Sequence, residues 1–346
     1  MTAEAPGVVR RGRRRGELTV ATIARLAGVS PPTVSRVLNG RSGVALDTRR
    51  RIEELLREHG YRRPTMVGPS SGVEVVFYRL QSHLAIEIIR GVQEVVGHHD
   101  LGVGFTEVLV DTSKDRSWAE HLLARRPVGV IATHSYFTPE QHAQLAASAI
   151  PLVAVDPSGQ PHQAVPTVAA ANWSGAVGAT RHLLDLGHRR IGIISGPSGS
   201  LLARERLEAC RATMETAGLP VDASLIRAGR FFVEDGLALG RELLSLPHRP
   251  TAVLCGNDLQ ALGVYEAARQ AGVRIPQDLS VIGFDDIENT KWCGPPMTTV
   301  HQPFREMGAA AANLLLTLAA GHTPPQTRIE LPTTLVVRES TAPPRP

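Results

Sequence analysis

Between Leu18 and Tyr61 the chain reads LTVATIARLAGVSPPTVSRVLNGRSGVALDTRRRIEELLREHGY, and no other stretch limits so sharply what can be built around it. Three short helical patterns are separated by turn signals. Thr19 is placed to cap a first helix whose apolar side is Ile23, Ala24 and Ala27, and Gly28 supplies a tight turn with Val29 as a plug behind it. Ser30 starts a second helix with Pro31 at its first position, where a missing N–H does no harm. Val34, Val37 and Leu38 fall at i, i+3 and i+4 and form a buried side. The opposite side carries Pro32, Thr33, Ser35, Arg36 and Asn39. A third helix, about 46–59, buries Ile52, Leu55 and Leu56 and closes at Gly60; Asp47 in its first turn offsets the absence of a capping hydroxyl at Ala45. Helix, glycine turn and capped helix with an exposed polar face make a helix-turn-helix, a unit that lays its second helix in the major groove of DNA.

Charge agrees with that reading. The 346 residues carry a net charge of +4, unevenly placed: Arg10, Arg11, Arg13, Arg14 and Arg15 precede the motif, and Arg49, Arg50, Arg51, Arg57, Arg62 and Arg63 lie in or after its third helix. Clustered arginine beside such a motif suits phosphate contact, whose strength falls steeply with salt. Three cysteines, Cys210, Cys255 and Cys293, are too few and too far apart for a disulfide framework or a zinc site. No apolar stretch follows the N-terminal arginines and no run approaches the ~20 apolar residues of a membrane span. The expectation is a cytoplasmic protein without signal peptide, membrane segment, metal or cofactor. No Ser–His–Asp elbow, His-Glu-x-x-His or P-loop is present, and GPSGS at Gly196–Ser200 lacks dinucleotide-fingerprint spacing, so no enzyme is expected.

Residues 1–17 read as a basic tail, 18–62 as the DNA-binding domain and 63–72 as a short linker rich in Pro, Gly and Ser. From Val73 to about residue 341, apolar strand patterns alternate with amphipathic helices, which implies parallel sheets covered by helices on both faces. Two such halves enclose a cleft, and open parallel sheets bind ligands at the C-terminal ends of their strands. Three sets stand at such ends: Arg204 opening a helix after IISGPSGSLL, Asn257-Asp258 after AVLCG, and Asp285-Asp286 after VIGF. Carboxylate, amide and guanidinium groups converging on a cleft suit a polyhydroxylated ligand. Asp258 and Asp286 read rather as caps.

The run AGVSPPTVSRVLNG closely resembles the headpiece of the lactose-repressor (LacI/GalR) family. The resemblance extends over nearly the whole chain, apart from the arginine-rich tail and the linker, which is shorter than usual and lacks the leucine that typically wedges into the minor groove. It implies an N-terminal all-α helix-turn-helix headpiece followed by an α/β periplasmic-binding-protein-like core of two doubly wound parallel-sheet lobes. The chain would cross between lobes near Val168–Asn172, Val300–Pro303 and Pro324–Thr327. That assigns about 73–168 and 303–324 to the first lobe and about 172–300 and 327–341 to the second.

For DNA, the resemblance implies base reading by the first two positions of the second helix, here Pro31 and Pro32, and by Arg36. Proline donates nothing, so reading there is by apolar contact, for instance with a thymine methyl. Thr19, Thr33, Ser35, Asn39 and Arg49 complete the candidate DNA contacts. For an effector, it supports Arg204, Asn257 and Asp285 and aligns Phe231 with an aromatic that stacks on the ligand. Gln81 and His83 in the loop after the first strand, Tyr136 after the third, and Asp156 and Gln302 near the crossings are weaker matches. The implied function is a DNA-binding regulator, a repressor acting as a homodimer on pseudo-palindromic operator DNA and controlled by a small sugar. A purine or a protein corepressor in place of the sugar, or a solute-binding module with no regulatory role, are the alternatives. Only TAPPRP closes the chain after Ser340, so a C-terminal tetramerisation helix is not expected.

Overall fold

A computed structural model describes residues 20–38, 44–58, 72–78, 83–108, 122–133, 139–157 and 165–345. The chain divides into two compact units, Met1–Val67 and Gly68–Pro346.

In the first unit, α1 (Val20–Ala27), α2 (Pro31–Leu38) and α3 (Leu46–Glu58) are the three expected helices. Their shared core is Ile23, Ala24, Ala27, Val34, Val37 and Ile52, with Val29, Val44, Leu55 and Leu56 packed around it. The turn after α1 shows why glycine is required. Gly28 has φ +69°, and the next amide, Val29 N–H, donates back to Ala24 C=O at 3.0 Å. This closes the helix with a left-handed residue and buries the following side chain against the one it caps. Thr19, Asn39 and the linker up to residue 71 lie outside the described residues.

The second unit holds two six-stranded sheets. The first runs in the order β11-β5-β4-β3-β1-β2, from β1 (Gly72–Tyr78), β2 (Gly102–Val108), β3 (Gly129–Thr133), β4 (Leu152–Val155), β5 (Thr167–Ala170) and β11 (Arg328–Leu331). Every pairing in it is parallel. The second runs β12-β10-β9-β8-β6-β7, from β6 (Ile191–Ser195), β7 (Ile226–Ala228), β8 (Ala252–Cys255), β9 (Ser280–Asp285), β10 (Thr298–His301) and β12 (Thr334–Val336), with β12 alone antiparallel. The central strands β3, β6, β8 and β9 are buried along their whole length, as sheets covered on both faces require.

Two connections differ from expectation. The first expected crossing, Val168–Asn172, overlaps β5 (Thr167–Ala170), whose mates are β4 and β11, so the passage between lobes begins only after Ala170. The third crossing falls between Leu331 and Thr334 rather than at Pro324–Thr327, because Ile329 and Leu331 of β11 pack into the first lobe's core. That core is completed by the helix Phe304–Ala319, which returns from the second lobe and contributes Phe304, Met307, Ala311, Ala312, Leu314 and Leu315. The first lobe cannot close without chain that has already passed through the second.

Candidate functional site

The polar centre of the second unit is a guanidinium and a carboxylate. Arg206 lies on the helix Leu201–Thr216 and Asp285 ends β9; both are buried, with Nη1 3.7 Å from Oδ1. Arg206 donates from Nε to Asn172 Oδ1 at 2.8 Å and from Nη1 to the Gly256 carbonyl at 2.6 Å, while the Phe284 ring lies 3.7 Å below its Cζ. Flat contact with an aromatic face favours a cation in so dry a place. Asp285 Oδ1 accepts from Gln302 Nε2 at 2.6 Å.

Asn172 and Gln302 belong to the first and second crossings. Asn172 Nδ2 donates to Ala170 C=O, and Ala170 N–H in turn donates to Asp156 Oδ1, each at 3.1 Å. Asp156 closes the end of β4, so the chain of contacts runs from second lobe to first. Two buried acceptors in it have no partner among the described residues, Asp156 Oδ2 and Gln302 Oε1. Burial drives the Asp156 carboxyl up to about 6, against the pull of the Ala170 amide and Arg206. It drives Asp285 up to about 7, although the guanidinium and Gln302 oppose it.

Backbone strain gathers here. Asp156 (φ 42°), Phe231 (φ 70°), Asp285 (φ 120°) and Asp286 (φ 59°) are non-glycine residues in the left-handed region, all at or just beyond strand ends. Each such residue costs about 1–3 kcal/mol, and strain of this kind collects where side chains must be aimed.

The expected effector residues separate. Asp285 and Asp156 are central. Arg204 is not: it is exposed, and the guanidinium that meets Asp285 is that of Arg206. Two residues along a helix are about 200° apart around it, so only one of them faces inward. The sequence held a signal for this, since Leu202, Ala203, Arg206, Ala209 and Cys210 lie on one buried stripe and Arg206 is its one charge. Asn257 caps the helix Asp258–Gln270, Oδ1 accepting from Gln260 N–H at 2.9 Å, and its Nδ2 donates to Phe231 C=O at 3.1 Å. It thereby holds the left-handed Phe231, whose half-buried ring covers Gly196; a Cβ there would sit 2.0 Å from the ring. Asp258 and Asp286 do not act as caps. Asp258 accepts from Thr299 Oγ1 and Ile287 N–H, and Asp286 pairs with Arg338 and His301. Gln81, Tyr136 and the side chain of His83 lie outside the described residues. Arg206 and Asn172 are the residues sequence reasoning missed.

On α2, the helix expected to read DNA, Pro31, Pro32, Ser35 and Arg36 are exposed and Thr33 is half-buried. Arg49, half-buried, lies on α3. Among the described residues no helix is long and apolar enough to cross a membrane.

A headpiece that reads DNA, joined in one chain to a two-lobed core with unsatisfied polar groups between the lobes, defines a ligand-responsive DNA-binding regulator. Residues 19–64 match the bacterial regulatory proteins of the lacI family, and residues 180–341 match the periplasmic binding protein-like domain. The HTH-type transcriptional repressor PurR of Haemophilus influenzae is 32% identical over 335 residues, 93% of this chain and 98% of PurR. Of solved structures, the transcriptional regulator CelR–cellobiose complex is similar with a TM-score of 0.72 at 31% identity, covering 94% of this chain and 100% of CelR. The lac repressor dimer bound to operator gives a TM-score of 0.72 at 28% identity, covering 94% and 99%. The chain belongs to the LacI family and is a DNA-binding transcriptional repressor, not an enzyme. A solute-binding module without a regulatory role is thereby set aside.

Proposed function

We propose that this repressor is controlled by a small sugar held between the lobes against Arg206, Asp285, Asp156 and Gln302. The observation that carries this is the pair of buried acceptors without partners among the described residues, Asp156 Oδ2 and Gln302 Oε1. Each unsatisfied buried acceptor costs about 1–3 kcal/mol. A hydroxyl donates to such an oxygen and accepts from a guanidinium with the same atom, so a polyol satisfies both kinds of group at once. The cellobiose in the CelR complex is a ligand of that chemistry in a similar fold.

The repressor acts in the cytoplasm as a homodimer on a pseudo-palindromic operator, with half-sites about 34–36 Å apart or closer. A coupling of ~1–3 kcal/mol between cleft and headpiece changes operator occupancy about 5–150-fold. A purine is the second reading, favoured by Phe231, whose half-buried ring over Gly196 is an aromatic surface on which a flat base stacks.

Thermal shift of the full-length protein against mono- and disaccharides, cellobiose first, and against adenine, guanine and hypoxanthine separates the two. Stabilisation of about 2.7 kcal/mol is expected at a hundredfold excess over Kd. A purine hit with silent sugars would reverse the order. Silence on both sides would move the weight to a protein corepressor.

A further inference from the structure

The start of the helix Asp258–Gln270 holds several separate parts of the second lobe. Asn257 holds the Phe231 carbonyl, and Gln260 Nε2 donates to Ser195 C=O at 3.1 Å, at the end of β6. Asp258, fully buried, stands between them in the chain. Its Oδ2 accepts from Ile287 N–H at 2.9 Å, and its Oδ1 from Thr299 Oγ1 at 2.5 Å. Ile287 follows directly on the left-handed pair Asp285 and Asp286, so this bond pins the far end of their turn.

Strand alternation along β9 gives the pin a purpose. Ile282 and Phe284 face the core shared with the helices Asn172–Asp185 and Leu201–Thr216. Val281 faces the core on the opposite side, shared with the helix Asp258–Gln270. Gly283 faces the same way as Val281, and a Cβ on it would overlap Asp258 Oδ1. In a regular strand Asp285 would point there too. It points instead to the other face, where Arg206 lies over the Phe284 ring. That takes φ 120° at Asp285 and φ 59° at Asp286, which is strained backbone for residues with a side chain. Such strain persists only where the surroundings hold it. Asp258 fills the face to which Asp285 would relax, and it binds the amide that follows the turn.

We propose that Asp258 is a positioning residue for the effector: by filling that face and binding Ile287 N–H, it keeps the Asp285 carboxylate aimed at Arg206. It acts through Asp285 and not on the ligand. The role rests on the reading of the cleft as the effector site, and adds to it what holds the carboxylate of that site in a strained aim.

Hydrogen exchange of the full-length protein, followed by mass spectrometry on peptides spanning 285–289, compares three variants with the wild type. Asp258→Ala removes both bonds and leaves a space. Asp258→Leu removes both and keeps the volume, so the comparison does not rest on a cavity. In each, exchange at the turn is expected to rise about tenfold while peptides over β8 keep their rate. Asp258→Asn still accepts from Ile287 N–H and donates to Thr299 Oγ1, and is expected to exchange like the wild type. Thermal shift with cellobiose and with hypoxanthine follows. Whichever stabilises the wild type is expected to stabilise Asp258→Asn equally, and Asp258→Leu not at all. Wild-type exchange in a folded Asp258→Leu overturns the proposal, as does the same acceleration in Asp258→Asn. Faster exchange with an undiminished ligand shift overturns it too, and so does failure of both the Ala and Leu variants to fold, since Asp258 would then hold the lobe and not the aim. If neither probe stabilises the wild type, the sugar and purine readings fail, and the exchange comparison decides Asp258 by itself.

Discussion

Gln302 donates from Nε2 to Oδ1 of Asp285 at 2.6 Å, while its own buried Oε1 has no partner among the described residues. Gln302 lies between β10 and the helix that returns to the first lobe, so a side chain of the second crossing holds the carboxylate opposite Arg206. On the other flank Arg206 holds Asn172 of the first crossing. One guanidinium–carboxylate pair is thus bonded to two of the three connections between the lobes. A ligand that competes for either bond acts on the connections themselves.

The first consequence concerns the two arginines. Arg204→Ala is expected to leave the thermal shift by an active ligand unchanged, because that side chain is exposed. Arg206→Met is expected to abolish it, each variant being compared with its own ligand-free melting. Arg206→Met also leaves Asp285 buried without its cation, which costs about 3–5 kcal/mol in unfolding free energy by urea titration. Equal loss of ligand response in both variants would refute the assignment of Arg206.

Coupling between cleft and operator is expected to fail before binding does in Asn172→Ala and Gln302→Leu. Operator affinity without ligand should stay within about twofold, while the ratio of affinities without and with ligand collapses toward one. Anisotropy titration of a selected operator, with and without the sugar or purine found active, measures both. Retention of a full ratio in the two variants would show that the crossings are not the route.

Asp156 makes a prediction about pH with a definite sign. Its carboxyl is raised to about 6 by burial, whereas the unfolded chain titrates near 3.8, so between these values the folded state holds a proton that the unfolded state has lost. Its contribution to stability therefore falls as pH rises from about 4 to about 6 and is level above that. The wild-type unfolding free energy minus that of Asp156→Asn should decline across this window by up to about 3 kcal/mol. Urea midpoints at half-unit pH steps measure it, and a difference that rises over the same range would contradict the assignment.

On DNA, Arg36→Ala separates base reading from phosphate contact. If Arg36 reads a base, sequence preference relaxes at one position of the half-site and the slope of log affinity against log salt is nearly unchanged. If it clamps a phosphate, binding weakens alike on all sequences and the slope falls by about one. The first result is expected, since Arg36 and Pro32 share one exposed side of α2.

The headpiece was legible in the sequence because its determinants are local. The apolar spacing of α1 to α3, the left-handed Gly28 and the Ser30-Pro31 start each act within a few residues, and the three helices appear where the pattern placed them. The alternation of strands and helices, and Asp285 at a strand end, were legible for the same reason. What only the tertiary structure decided depends on residues far apart in the chain. A strand at Arg328–Leu331 is legible locally, but that it joins the first lobe's sheet, pairing with β5 across about 160 residues, is encoded by no local signal. The third crossing moved with it. Whether Arg204 or Arg206 turns inward is set by the phase of one helix against a sheet built from other segments. The two acceptors left without partners become visible only once Asp156, Ala170, Asn172, Arg206, Asp285 and Gln302 have been brought together by the fold. Sequence determines the elements whose free energy is local; the site between the lobes is held by contacts that exist only after the chain has closed on itself.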